Sequence, residues 1–341
     1  MGLAIGIDVG GTKILAGVVD DDGHLSATTG RPTPSTDPEA VADAIAEIVD
    51  ELRGKVGSGV GSGADTGDGD GADTGAGIET VGIGAAGFVD RDRSTLLFAP
   101  NLAWRDEPLR DKVAKRVELP VVVENDANAT AWGEFRFGAG RERSDLICLT
   151  IGTGIGGGIV LGEALYRGSF GIGGEVGHIR VVPNGRRCGC GNRGCWEQYC
   201  SGRALVREAQ EIARVDPRYG GRLRELGGGE PSGIDGQHVT TAAEEGDPAA
   251  LECYGVIGRW LGQGLADLAA VLDPSTFVIG GGVSEAGDLL LEPARAAFGQ
   301  RLTGHGHRSV ADVLVAELGA QAGLIGAADL SRQPDSPPTQ L

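Results

Sequence analysis

Two stretches of this chain, LAIGIDVGGTKILAGVV from Leu3 and LICLTIGTGIGGGIVLGEAL from Leu146 to Leu165, follow one plan: an apolar run, a glycine turn, a second apolar run. Each reads as a β-hairpin, the first with its turn at Gly10 and Gly11. A chain that opens two stretches in this way is drawn towards two related α/β halves, each begun by its own hairpin. Such hairpins are common in α/β proteins, so the repeat constrains the fold without identifying it.

The remaining segments fit that expectation. DPEAVADAIAEIVDELRGKV places Val41, Ile45, Ile48, Val49 and Leu52 at helical spacing behind an acidic first turn, which predicts an amphipathic helix. The stretch 57–77 is built mainly of Gly, Asp, Ser and Thr, has almost nothing to bury, and predicts a flexible acidic insertion. IETVGIGAAGFVD and VELPVVVENDANA contain short apolar runs of the kind that form buried strands. Helices are expected over 203–214 and near 240–272, then a strand, glycines and a helix in TFVIGGGVSEAGDLL, and a frayed tail from Asp335.

With 341 residues there is room for two cores, and no run approaches the roughly 18 apolar residues of a membrane span. The N-terminus lacks the basic and apolar regions of a secretory leader, so a cytoplasmic protein is expected. A net charge of −18 disfavours nucleic acid and anionic membranes as partners. Of the 30 basic residues only Lys13, Lys55, Lys112 and Lys115 are lysine. An arginine-dominated, strongly acidic surface suggests a halophilic protein, with the codon bias of a GC-rich genome as the plainer alternative.

Three constellations could carry chemistry. In DVGGTK an apolar strand delivers Asp8 to a turn of Gly10, Gly11, Thr12 and Lys13, where backbone amides could approach an anion. It matches neither GxGxxG nor GxxxxGK[ST], which argues against a nicotinamide-dependent oxidoreductase. Glycine turns at Thr153 and Gly154 and at Gly280 and Gly281 also follow apolar runs, and three such turns would suit a triphosphate. In VENDANA, Glu124, Asn125, Asp126 and Asn128 come at the C-terminal end of a strand, where ligands of α/β sheets gather. A carboxylate beside a carboxamide suits a polyhydroxylated substrate, and an Asx cap on the following helix is compatible with that.

The third constellation is CGCGNRGC, residues 188–195, ten residues after His178. Cys188, Cys190, Cys195 and His178 make a Cys3His set suited to structural zinc, although C-x-C-x4-C departs from the usual C-x2-C. A disulfide would leave one thiol over in a reducing compartment, and a catalytic thiol would lack a separate base.

Taken together, DVGGTK, VENDANA, IGTGIGGG, GEVGH and CGCGNRGCWEQYCSG resemble the ROK family of sugar kinases and sugar-responsive repressors, across residues 3 to about 330 outside the insertion. The resemblance implies an actin-like, hexokinase-type α/β fold with two ribonuclease-H-like domains flanking a cleft for Mg2+-ATP and sugar. Residues 1–126, with a C-terminal helix near 319–334, would form one domain. Residues 127–318, with the zinc loop and much of the nucleotide site, would form the other. It further implies Asp126 as catalytic base, and Asn101, Asn125, Asp126, Glu175, His178 and Glu197 as sugar ligands. Asp8, Gly10, Gly11, Thr12, Lys13, Thr153, Gly154, Gly280 and Gly281 would serve ATP and Mg2+. His178 would share its ring between a structural Zn2+ and a sugar hydroxyl. VENDANATAWGE and NLAWRDEPL are similar to the glucose-phosphorylating members, with fructose, mannose and N-acetylmannosamine as alternatives. A repressor is expected to carry a helix-turn-helix ahead of the first strand, whereas here the strand begins at Leu3. The family also suggests a homodimer or higher homo-oligomer.

Overall fold

The computed structural model describes residues 2–34, 37–57, 77–99 and 104–333. In chain order the first elements are β1 (Leu3–Val9), β2 (Lys13–Val19), β3 (Leu25–Pro32), α1 (Pro38–Gly57), β4 (Ile78–Ala85), β5 (Phe88–Val89), β6 (Leu96–Ala99), β7 (Trp104–Glu107), α2 (Leu109–Val117), β8 (Val121–Asn125) and α3 (Asp126–Phe137). There follow β9 (Leu146–Ile151), β10 (Ile155–Leu161), β11 (Ala164–Leu165), α4 (Gly202–Val215), α5 (Gly221–Leu226), α6 (Gly236–Glu244), α7 (Pro248–Leu272), β12 (Thr276–Gly280), α8 (Asp288–Arg301), β13 (Asp312–Val315) and α9 (Ala322–Arg332). The expected insertion at 57–77 falls almost wholly outside the described residues, as do Asn101 and the tail.

The duplicated plan is visible in the sheets. One has the strand order β3-β2-β1-β4-β8 and the other β11-β10-β9-β12-β13. In the first, β2 and β3 run antiparallel to their neighbours, whereas β1, β4 and β8 are parallel. In the second, β9, β12 and β13 are parallel and β11 is antiparallel to β10. Each hairpin thus opens a sheet whose later strands return in parallel, as βαβ connections require.

Helix α1 forms where the periodicity placed it, with Val41, Ile45, Ile48, Val49 and Leu52 buried, Glu39 in its first turn and Lys55 in its last. The expected helix near 240–272 is instead two helices, α6 and α7. Gly246 has φ +84°, Asp247 caps α7 through a bond from Ala250 N, and Pro248 opens it, so the chain turns between them.

Contacts divide the chain into two compact units: Met1–Glu142, Gly158–Gly174 and Glu317–Leu341, and Arg143–Gly157 with Glu175–Ala316. This corrects the expected boundary after residue 126, because α3 belongs with the first unit. The buried Glu134 of α3 accepts bonds from Glu317 N and Leu318 N at 3.0 and 2.8 Å, and Trp132 Nε1 donates to Asp329 of α9 at 2.7 Å. Helix α9 lies directly on the first sheet. Gly6 and Gly82 are paired in register there, and a Cβ on either would come within 1.9 or 1.8 Å of the Leu324 or Ala327 carbonyl oxygen.

Candidate active site

In the first unit, strand β1 carries Asp8 towards a two-residue hairpin tip. Gly10 N–H donates to Lys13 O at 3.0 Å, and Thr33 holds the turn with its hydroxyl on Gly10 O at 2.7 Å. The expectation that Gly10 offers its amide to an anion is therefore corrected: that donor closes the turn, and Gly11 and Thr12 form the tip. Lys13 opens β2 with an exposed side chain. Burial, then repulsion from Asp126, pushes the Asp8 carboxyl up to about 6, with Lys13 working the other way.

Asp126 is the first residue of α3, and Asn125 is its cap. Ala127 N and Asn125 Nδ2 donate to Asp126 Oδ1 at 2.9 and 3.1 Å. Both of these bonds go to one oxygen, Oδ1. Burial raises the Asp126 carboxyl above its usual range, while these donors favour its charged form.

Asn125 itself is heavily committed. Its Oδ1 accepts from Asn128 N at 3.0 Å, and its Nδ2 also donates to Gly87 O at 3.1 Å. The carboxamide expected to hold sugar is also a helix cap and a brace for Asp126. The neighbouring Glu124, placed by the sequence in the same strand-end constellation, is 1% exposed and lies between Arg93 and Arg167. A buried carboxylate needs partners, which was the available signal, but nothing in the spacing named those arginines.

In the second unit, the turn holding Thr153 and Gly154 is closed by Gly152 N–H on Gly154 O at 3.0 Å, and Gly202 N–H binds Gly152 O at 2.8 Å. The absence of a side chain at Gly154 leaves room for Glu197, whose Oε2 would lie 2.5 Å from a Cβ there. Gly280 ends β12, and Gly281 turns the chain at φ +86° against Ile151. Gly152, Thr153, Gln237, Tyr254, Gly282 and Glu285 line a cavity of about 1050 Å³. That is room for a nucleotide-sized ligand.

Glu175 precedes a single helical turn, Val176–His178, whose last residue is His178. His178 Nδ1 faces Cys188 Sγ at 3.5 Å, and its Nε2 lies 3.9 Å from Glu175 Oε2. The Cys190 and Cys195 sulfurs are 3.6 Å apart, and the ligand atoms of His178, Cys188, Cys190 and Cys195 all lie within 4.8 Å of one another. A tetrahedral zinc with bonds of about 2.0–2.3 Å has ligand-to-ligand edges of about 3.5–3.8 Å, so the set fits that ion. The Cys188 thiol donates to Glu197 Oε1 at 2.9 Å, which sets Glu197 beside the cysteine loop. Cys200 is a fully buried thiol whose burial pushes its pKa up, as expected of a packing residue.

The sequence matches the ROK family over residues 4–64 and 70–334. It is 54% identical over 335 residues to a glucokinase of Streptomyces coelicolor, covering 98% of this chain and 99% of that one. It is 31% identical to the xylose repressor of Bacillus subtilis over 250 residues, 73% of this chain and 60% of the repressor. Among solved structures, a ROK family glucokinase from Streptomyces griseus in complex with glucose and AMPPNP superposes with a TM-score of 0.82. That protein is 53% identical, with coverage of 98% of this chain and 100% of that one. The fold is accordingly the actin-like ATPase fold, and the chain is a member of the ROK family.

Proposed function

We propose that this chain transfers the terminal phosphoryl group of ATP to the 6-hydroxyl of glucose, with Asp126 as general base. The observation that carries the reading is the Asp126 carboxylate, held through Oδ1 at a helix start; we assign its Oδ2 to the hydroxyl proton. The Streptomyces glucokinases support glucose as acceptor, and the relative that holds AMPPNP supports ATP as donor.

In the step itself, Asp126 Oδ2 takes the proton as the sugar oxygen bonds to the γ-phosphorus. The bond to the β,γ-bridging oxygen breaks, and ADP leaves. The transition state is loose, so alignment and charge neutralisation dominate. We assign the Gly11 and Thr12 amides and Lys13 to the phosphates, and the second-unit cavity beside Thr153 to the nucleotide, with Gly154, Gly280 and Gly281 shaping the turns. Glu175, His178 and Glu197 are assigned to sugar hydroxyls.

Two metal ions fit the residues present. We place Mg2+ near Asp8, whose desolvated carboxylate a cation would favour in its charged form. Bound there, Mg2+ would neutralise phosphate charge. The Cys3His set would hold Zn2+ as a structural ion that keeps His178 and Glu197 in place. An ATP-consuming sugar kinase works where ATP is, which supports a cytoplasmic setting. We further propose a homodimer, on family resemblance.

Asp126→Asn tests the reading. Turnover should fall by about 10² to 10⁴ while glucose binding, followed by tryptophan fluorescence, persists; near-normal turnover would sink the assignment. Comparing glucose, fructose, mannose and N-acetylmannosamine in one coupled assay checks the acceptor, and glucose should give the highest kcat/KM.

A further inference from the structure

We infer that Arg93, Glu124 and Arg167 form a buried charged brace that positions Asp126, an inference that rests on Asp126 being the base. Glu124 stands two residues before Asp126, at the end of β8. Its Oε1 accepts from Asn125 N at 2.9 Å and from Asn128 Nδ2 at 3.0 Å. Its Oε2 lies 2.8 Å from Arg167 Nε and 3.3 Å from Arg93 Nε, and each arginine side chain is 11% exposed.

Each arginine is anchored from behind. Arg167 donates through its two terminal nitrogens to Arg91 O and Asp90 O, both at 2.8 Å. Arg93 sits at φ +52° in a turn built on Asp90, whose carboxylate receives Ser94 N, Ser94 Oγ and Thr95 N at 2.8, 2.8 and 3.1 Å. The Arg93 carbonyl then accepts from Val123 N at 3.1 Å, which joins that turn to β8. Glu124 therefore sees a fixed pair of cations on one oxygen and the first turn of α3 on the other.

An apolar trio of equal volume would hold the strand as well, because desolvation consumes most of what a buried ion pair gains. What apolar groups cannot do is accept from Asn125 N and Asn128 Nδ2. Those two bonds fix the residue whose Nδ2 donates to Asp126 Oδ1 and the residue whose amide returns to Asn125 Oδ1. The brace thus runs by consecutive contacts from the Asp90 turn to one oxygen of the base. None of its three members is placed against substrate, so they are positioning residues.

The test is a kinetic split in the full-length enzyme. Arg167→Ala should lower kcat about 10- to 100-fold, the effect of a small misplacement of a reacting group, while KM for glucose and for ATP stays within about threefold. Arg167→Lys, which returns a cation to Glu124, should recover part of the lost kcat, and added guanidinium should do the same for Arg167→Ala. Glu124→Gln keeps the shape, loses the charge, and should show the same kcat-selective loss. A folded Arg167→Ala or Glu124→Gln with kcat within about twofold of wild type overturns the inference. So does failure of both to fold, which would make the cluster a stability device. If Asp126→Asn keeps its turnover, the base assignment fails. If Asp126→Asn is inactive but both brace variants turn over normally, only the brace fails.

Discussion

Asp8 is a carboxyl that the fold makes harder to ionise, and stability should record it. Its value rises from 3.8 to about 6, by burial first and by Asp126 second. Between those values the folded chain binds more protons than the unfolded one, so stability falls as pH climbs through that window. A shift of this size corresponds to up to about 3 kcal/mol. Melting temperatures from pH 4 to 7 should show this decline in the wild type and a shallower one in Asp8→Asn, where the raised Asp126 still contributes; parallel curves for the two would refute it. Asp126 was legible in the sequence because strand, carboxylate and helix start are adjacent in VENDANA. The double use of Asn125 and the closed Gly10 amide were not, since a residue type does not reveal where its hydrogen bonds go. Arg93 and Arg167 were hidden for a different reason, because their shared partner Glu124 is remote from both in sequence.

Among the elements, the cysteine loop offers the most direct experiment. Cys190 is exposed, Cys188 and Cys195 are buried, and a thiol lost from the set leaves a metal with three ligands. Cys190→Ala should lose about one equivalent of zinc by elemental analysis, melt earlier and raise KM for glucose, because Glu197 and His178 lose their shared anchor. Unchanged metal content would count against the site. The hairpins and α1 were readable because local periodicity alone determines them. The fused reading of α6 and α7 failed because both flanks of the Gly246–Asp247 break are helical and apolar, so the period seemed continuous although a cap and a proline divide it. The placement of α3 with the first unit depends on α9, whose return no local pattern announces.

For the whole molecule, net charge is the variable to test. At −18 the chain repels itself at low salt, while pairs such as Arg116 with Glu39 and Asp43 or Arg222 with Glu245 and Glu225 lie on the surface, where each contributes little. Salt should therefore raise the melting temperature, since screening removes net repulsion faster than it weakens the pairs. A melting temperature flat from low to molar KCl would reject a halophilic adaptation. The reaction class was legible from motifs spread along the chain, whereas the preferred sugar depends on the shape of loops. The seat of α9 on Gly6 and Gly82 also bears on how the chain is made. Strands β1 and β4 leave the ribosome early, yet the helix that covers their paired glycines is translated after all of the second unit. Until α9 is made, the strip of sheet it covers in the folded protein has no such cover, and a chain ended before α9 lacks the element that closes it.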